Sequence, residues 1–257
     1  MFLRSFPLLC LLAFASFFTA CTDDTDTNLN PAPSQPGTLD VEIDHVAGTE
    51  PLAFNTTYTT AAGDKFTVSR FKYYLSNFTL GKTDGSSYLV PESYFLVDEA
   101  DPESKFFTLA DIPSGDYTSL SFTIGVDSTR NVSGAQTGAL DPINNMFWTW
   151  DSGYIFTKLE GTSPQAPNQA LVFHIGGFKK PNNTIRSVSP TLRGVTIPIR
   201  KDRNPAVHLK ADVLRLFTGP NTIRFATTPN VMGGADAVKI ADNQRAGFFT
   251  VDHVHTN

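Results

Sequence analysis

Five histidines, at positions 45, 174, 208, 253 and 255, are the side chains in this chain best suited to hold a metal. The only two cysteines are Cys10 and Cys21, both near the start. A metal site further along must therefore use imidazole, carboxylate or thioether groups. His253-Val254-His255 is the sharpest arrangement. On a strand, a His-x-His pair sets two imidazoles on one face, about 6.5–7 Å apart at Cα, where two nitrogens can converge on one ion. Strict alternation predicts that Phe249, Val251, His253 and His255 share that face. His45 follows Leu39, Val41 and Ile43 in the same two-residue period, so it is expected to point inward. An inward histidine requires a hydrogen-bond partner or a metal. His174 takes the opposite face from Leu171, Phe173 and Ile175, whereas His208 shares its face with Lys210 and Asp212 and reads as solvated.

The other unusual stretch is central. It runs Asp141-Pro142-Ile143-Asn144-Asn145-Met146-Phe147-Trp148-Thr149-Trp150, then Gly153-Tyr154 and Lys158-Leu159-Glu160-Gly161. Both tryptophans of the chain sit here, two residues apart. Trp148 and Trp150 either plug one end of a β domain or, with Phe147 and Tyr154, offer flat rings to a ligand. Carboxylates at Asp127, Asp141, Asp151 and Glu160 lie in the same region. The Gly-x-Ser-x-Gly, His-Glu-x-x-His, phosphate-loop and dinucleotide signatures are missing, so an enzyme is not expected.

The elements that must position these residues read as strands. Leu39/Val41/Ile43 and Val207/Leu209/Ala211/Val213 alternate with polar residues. Phe66–Leu80, Tyr88–Val97, Tyr117–Val126, Tyr154–Leu159, Ala170–Ile175 and Arg193–Ile199 are rich in β-branched and aromatic side chains. Turn-forming clusters such as Thr83-Asp84-Gly85 and Pro113-Ser114-Gly115 separate them. Helical periodicity is confined to Ala235–Gln244. An all-β fold follows, a single β-sandwich domain over residues 38–257.

The first twenty residues read as a secretion signal: Arg4, then an apolar run from Phe6 to Phe18 that is short for a membrane span. The run ends Phe18-Thr19-Ala20-Cys21, the pattern of a lipoprotein signal, with lipid expected on Cys21. Residues 21–37 form a polar, proline-bearing tether with too little apolar surface to fold. Such a protein is held at the cell envelope by its lipid, at the periplasmic face of the outer membrane or on the cell surface. Removal of residues 1–20 leaves 19 basic against 25 acidic side chains, a balance that argues against a nucleic-acid partner.

Gly125-Val126-Asp127, Asp141-Pro142, Met146-x-Trp148-x-Trp150, Gly153-Tyr154 and Lys158-x-Glu160-Gly161 together resemble the MbnP-like copper-binding family. Asp44-His45-Val46, Tyr73-Tyr74-Leu75-Ser76-Asn77, Phe173-His174-Ile175-Gly176 and Asp252-His253-Val254-His255 fit the same pattern, so the resemblance spans about residues 40–257. It implies a periplasmic or surface protein that binds copper, with His45, His174, His253 and His255 as ligands and Met146 lining the site. It also implies that Trp148 or Trp150 is oxidised to kynurenine by a di-haem enzyme of the MauG and bacterial peroxidase type. The aryl amine so formed can join imidazoles around copper, which an indole N–H cannot. An outer-membrane receptor is a further partner of such a protein. The alternative is a metal-free surface module that captures glycans or peptides on the Trp148/Trp150 platform.

Overall fold

The computed structural model describes residues 35–134, 136–149 and 152–257. The secretion signal, Cys21, most of the tether, Trp150 and Asp151 lie outside them. Strands come in chain order as β1 (Gly37–Ala47), β2 (Glu50–Pro51), β3 (Tyr58–Thr59), β4 (Lys65–Gly81), β5 (Ser87–Leu89) and β6 (Tyr94–Asp98). They continue as β7 (Phe106–Ile112), β8 (Gly115–Tyr117), β9 (Ser119–Ile124), β10 (Phe147–Thr149), β11 (Gly153–Thr162) and β12 (Ala170–Gly176). The last are β13 (Arg186–Val188), β14 (Ile197–Ile199), β15 (Ala206–Asp212), β16 (Asn230–Met232) and β17 (Phe249–His255). Among the described residues there are also two α-helices, α1 (Ser128–Val132) and α2 (Gly234–Gly247), and short 3-10 turns. The second of these is the helix expected near Ala235–Gln244.

One sheet runs β17-β15-β1-β2, with β7 also paired to β1; the larger runs β13-β9-β4-β11-β12-β16, with β3, β5 and β6 on β4 and β10 on β11. Their inner faces make the main core. Leu39, Val41 and Ile43 of β1, Val207 and Leu209 of β15, and Phe249 and Val251 of β17 join Phe66, Phe71, Tyr73 and Phe173 of the larger sheet there. The all-β sandwich expected from alternation is the fold observed. A second apolar cluster of Tyr74, Val126, Leu140, Met146, Tyr154, Phe156 and Phe178 supports the hairpin of β10 and β11.

Two sequence readings change. The run from Tyr88 to Val97 is two strands, because Pro91 lacks the N–H a ladder needs and Glu92 turns the chain with φ +49°. The run from Arg193 is reduced to β14, since Arg193 and Gly194 both take positive φ and cannot continue an extended strand.

Local motifs have structural causes. At Gly161 a Cβ would fall 1.8 Å from the Thr67 carbonyl oxygen, so only glycine lets β11 approach β4 there. Asp127 caps α1 through the Arg130 N–H (3.1 Å), and Asn131 of α1 accepts from the Tyr154 N–H (2.9 Å). The Gly-Val-Asp segment therefore braces the tryptophan-bearing hairpin.

Candidate metal centre

The C-terminal strand carries the decisive geometry. Leu209 of β15 stands opposite Val251 of β17, but the next residue, His208, stands opposite His253. Asp252 is thus the extra residue of a β-bulge, and the bulge reverses the inward–outward phase of β17. Phe249 and Val251 are buried, Val254 packs on the core, and His253 and His255 are exposed. The expectation that Phe249, Val251, His253 and His255 share one face fails for this reason. The bulge delivers both histidines to the outer face instead, where His208 already stands.

Three imidazoles meet there. His208 and His253 stack with centroids 4.1 Å apart, and His255 meets both edge-on at 4.9 and 4.8 Å. One nitrogen from each ring lies within 4.8 Å of the others. The His253 and His255 Nε2 atoms are 3.2 Å apart. Two nitrogens on a tetrahedral ion at about 2.0–2.1 Å are separated by roughly 3.3 Å, so this pair is already spaced for chelation.

On two of the rings the opposite nitrogen is held by a carboxylate. His253 Nδ1–H donates to Asp252 (2.8 Å), whose other oxygen accepts from Lys210 (2.5 Å). His208 Nδ1 lies 3.2 Å from Glu42, its register partner on β1. Carboxylates on Nδ1 fix the tautomer and turn the Nε2 lone pairs outward, as outer-shell partners of metal-bound histidines do. Burial, with repulsion from the two neighbouring histidines, holds the His208 pKa below its usual value despite Glu42. His208 is then neutral, the form that ligates. Hydrogen bonds from Lys210 and His253 keep the Asp252 carboxyl below the usual carboxylate range.

His208, read as solvated, is the member of the cluster that sequence reasoning missed. Its face was assigned correctly, but its pairing with β17 joins residues more than forty positions apart.

His45 points inward as expected, with 5% of its surface exposed, but it stands apart from the cluster in role. Its Nδ1–H donates to Glu99 (2.7 Å) and its Nε2 accepts from the buried Tyr73 hydroxyl (2.7 Å). Lys105 donates to the same Glu99 carboxylate (3.0 Å). Both ring nitrogens are engaged, so in this structure His45 is a satisfied core histidine that stands outside the three-imidazole cluster.

His174 sits half-buried on the outer face of β12, its Nε2–H donating to Glu160 (2.8 Å), which also holds Arg70 (2.8 Å). Its Nδ1 is buried without a hydrogen-bond partner. Met146 is fully buried and packs in the second apolar cluster. Trp148 is half-buried and lies against Gly176, where a Cβ would come within 2.8 Å of the indole. It borders a cleft of about 500 Å³ that Phe178, Lys179 and Met232 also line, and no histidine is among the described residues around it. Of the rings expected on an aromatic platform, Tyr154 is 1% exposed and Phe147 packs on its ring at 4.8 Å, whereas Trp148 is half-buried and Trp150 lies outside the described residues. The described carboxylates of the central block are engaged in local structure, while Asp151 lies outside the described residues. Asp127 caps α1, Asp141 caps the turn at Pro142–Asn144, and Glu160 holds His174 and Arg70.

No curated protein sequence matches the chain. Among solved structures, MbnP from Methylosinus trichosporium is similar in fold, with 15% identity over 85% of this chain and 98% of that chain, at a TM-score of 0.52. A sequence model of MbnP matches residues 36–233, a stretch that contains His208 and ends before β17. On that match, which takes in most of the chain, the protein belongs to the MbnP family.

Proposed function

We propose that this protein binds copper at the cell envelope, with His208, His253 and His255 as the ligands. The observation that carries the reading is the convergence of three imidazole nitrogens within 4.8 Å, two of them backed by carboxylates. Membership of the MbnP family supports a copper-associated role at the level of the family. The chemistry favours copper over other divalent ions, because imidazole sites hold Cu²⁺ tightest in the Irving–Williams order. The site is open to solvent on one side, which suits a carrier or store that exchanges its ion rather than a buried structural centre. The lipoprotein signal ending at Cys21 supports tethering to the outer membrane. The protein acts in this reading as a binding protein, not as a catalyst.

The test is direct. Protein incubated with excess Cu²⁺ and desalted is expected to retain about one copper per chain. The His208→Ala/His253→Ala/His255→Ala variant is expected to retain almost none. Equal copper in both proteins places the ion elsewhere and defeats the assignment.

Trp148 is the residue we assign to oxidation to kynurenine by a partner di-haem enzyme. Its half-buried indole at the rim of an open cleft supports access by such a partner. Intact masses of protein from the native host, with and without the di-haem oxidase, are expected to differ by the change that indole opening brings. Identical masses in the two backgrounds contradict it.

A further inference from the structure

β7 ends its sheet on the side away from β15, and its outer edge pairs with no strand among the described residues. In β1 the even-numbered residues bond toward β15, as the Asp40 N–H does to the Pro205 carbonyl (3.0 Å). The odd-numbered ones bond toward β2 and β7, as the His45 carbonyl does by accepting from the Leu52 N–H (2.9 Å). Leu39 and Val41 therefore hold Leu109 and Phe107, their register partners. Alternation then turns outward the carbonyl of Phe106 and both backbone groups of Thr108 and of Ala110. The Phe106 N–H closes the preceding turn onto the Glu103 carbonyl. The outward groups meet no hydrogen-bonding partner among the described residues.

Exposed edges are normally blunted by a charge, a proline, a bulge or brevity. β17 has its bulge at Asp252, and β13 and β16 are three residues long. Phe106-Phe107-Thr108-Leu109-Ala110 has none of these until Asp111, whose φ of +56° ends the flat segment. Two clefts run along this edge, one of about 330 Å³ beside Phe106 and Phe107 and one of about 240 Å³ beside Thr108 to Asp111. Phe95 of β6 lines both and stacks on Phe107 with centroids 3.9 Å apart, so they share an aromatic wall. Phe106 adds an apolar side chain that is 52% exposed. The charged side chains along the two clefts are Glu92, Asp101 and Asp111, and no lysine, arginine or histidine is among the described lining residues. Glu92 is paired with Arg130, which leaves the carboxylates of Asp101 and Asp111 without an ion pair among the described residues.

We infer that the outer edge of β7 is a docking site for an extended, cationic segment of a partner protein, which adds to the sheet as a further strand. Main-chain bonds to Phe106, Thr108 and Ala110 supply the affinity, as in other strand additions. Apolar residues of the segment meet the Phe95/Phe107 stack, and lysine or arginine residues alternating with them meet Asp101 and Asp111. Charge disfavours the two other occupants. The chain's own tether carries Asp23, Asp24 and Asp26, and a second copy would bring a further Asp111 to the edge. β7 carries none of the three clustered histidines, so the docking edge and the metal centre are separate.

A short peptide alternating lysine and valine is the probe, with a glutamate–valine peptide as its control. Bound to the full chain, the lysine–valine peptide is expected to slow hydrogen exchange at the Thr108 and Ala110 amides at least tenfold, and the control to leave it unchanged. Thr108→Pro/Ala110→Pro removes both outward donors and keeps the Phe107 and Leu109 bonds to β1, so the fold is expected to persist. That variant is expected to bind the lysine–valine peptide at least tenfold more weakly. Asp101→Asn/Asp111→Asn, which keeps the turn-capping oxygen of 101 and a residue tolerant of positive φ at 111, is expected to weaken it in the same direction. Absence of binding, equal binding of the two peptides, or unchanged exchange at Thr108 and Ala110 in the natural chain overturns the inference. A dimer in sedimentation that Thr108→Pro/Ala110→Pro abolishes also overturns it, by assigning the edge to a second copy.

Discussion

Replacing His45 by alanine is expected to destabilise the fold by roughly 2–4 kcal/mol, the range for breaking a buried hydrogen-bond network and leaving a cavity. The Tyr73 hydroxyl, on a fully buried side chain, loses its acceptor, while Glu99 keeps only Lys105. The same variant is expected to change the pH dependence of stability. Burial holds the His45 pKa below its usual value, outweighing the attraction of Glu99. The unfolded chain, with a histidine pKa of about 6.5, takes up that proton first as the pH falls. The unfolded state then binds more protons than the folded one, so stability rises with pH. The contribution of neutral His45 is whole above about pH 6.5 and is lost as the pH drops from there toward the folded pKa. His174 and His208, also lowered by burial, add slopes of the same sign, so the variant loses part of the effect. Urea unfolding of both proteins from about pH 5 to 8 measures this, and curves that stay parallel through that range would count against it.

Replacing His208 by alanine is expected to weaken Cu²⁺ binding more than about 100-fold, because losing a ligand costs more than the 10–100-fold lost with an outer-shell partner. Asp252→Ala, which removes only the carboxylate holding His253 Nδ1, is expected to cost about tenfold. His45→Ala leaves the affinity unchanged if folding is maintained, since both nitrogens of that ring are already engaged. Competition against a chelator of known copper affinity measures all three. The contrast between His208 and His45 is the informative part, because sequence alternation alone ranks them in the opposite order.

That reversal marks how far local pattern reaches. Alternation through Leu39, Val41 and Ile43 located β1 and put His45 inside, because a strand with one buried face must keep a strict two-residue period. It could not supply Glu99, 54 residues away, or the Tyr73 hydroxyl, and so could not distinguish a satisfied histidine from a ligand. The same rule misplaced His253 and His255 because it holds only while the strand is regular. A signal of the bulge was present: Val254 is three residues from Val251, and two inward residues three apart on one strand require an extra residue between them. The parallel pairing of β1 with β15 and the antiparallel pairing of β15 with β17 are non-local, and no local pattern specifies them. Gly176 likewise reads as an ordinary glycine until the Trp148 ring is found in the place of its side chain.

Pulsed electron paramagnetic resonance of the Cu²⁺-loaded protein counts the imidazoles at the ion through their remote nitrogens. Three coupled imidazoles are expected in the natural protein and two in His208→Ala. A copper spectrum that is indifferent to substitution at 208, 253 and 255, or that lacks imidazole couplings, would contradict the three-histidine centre.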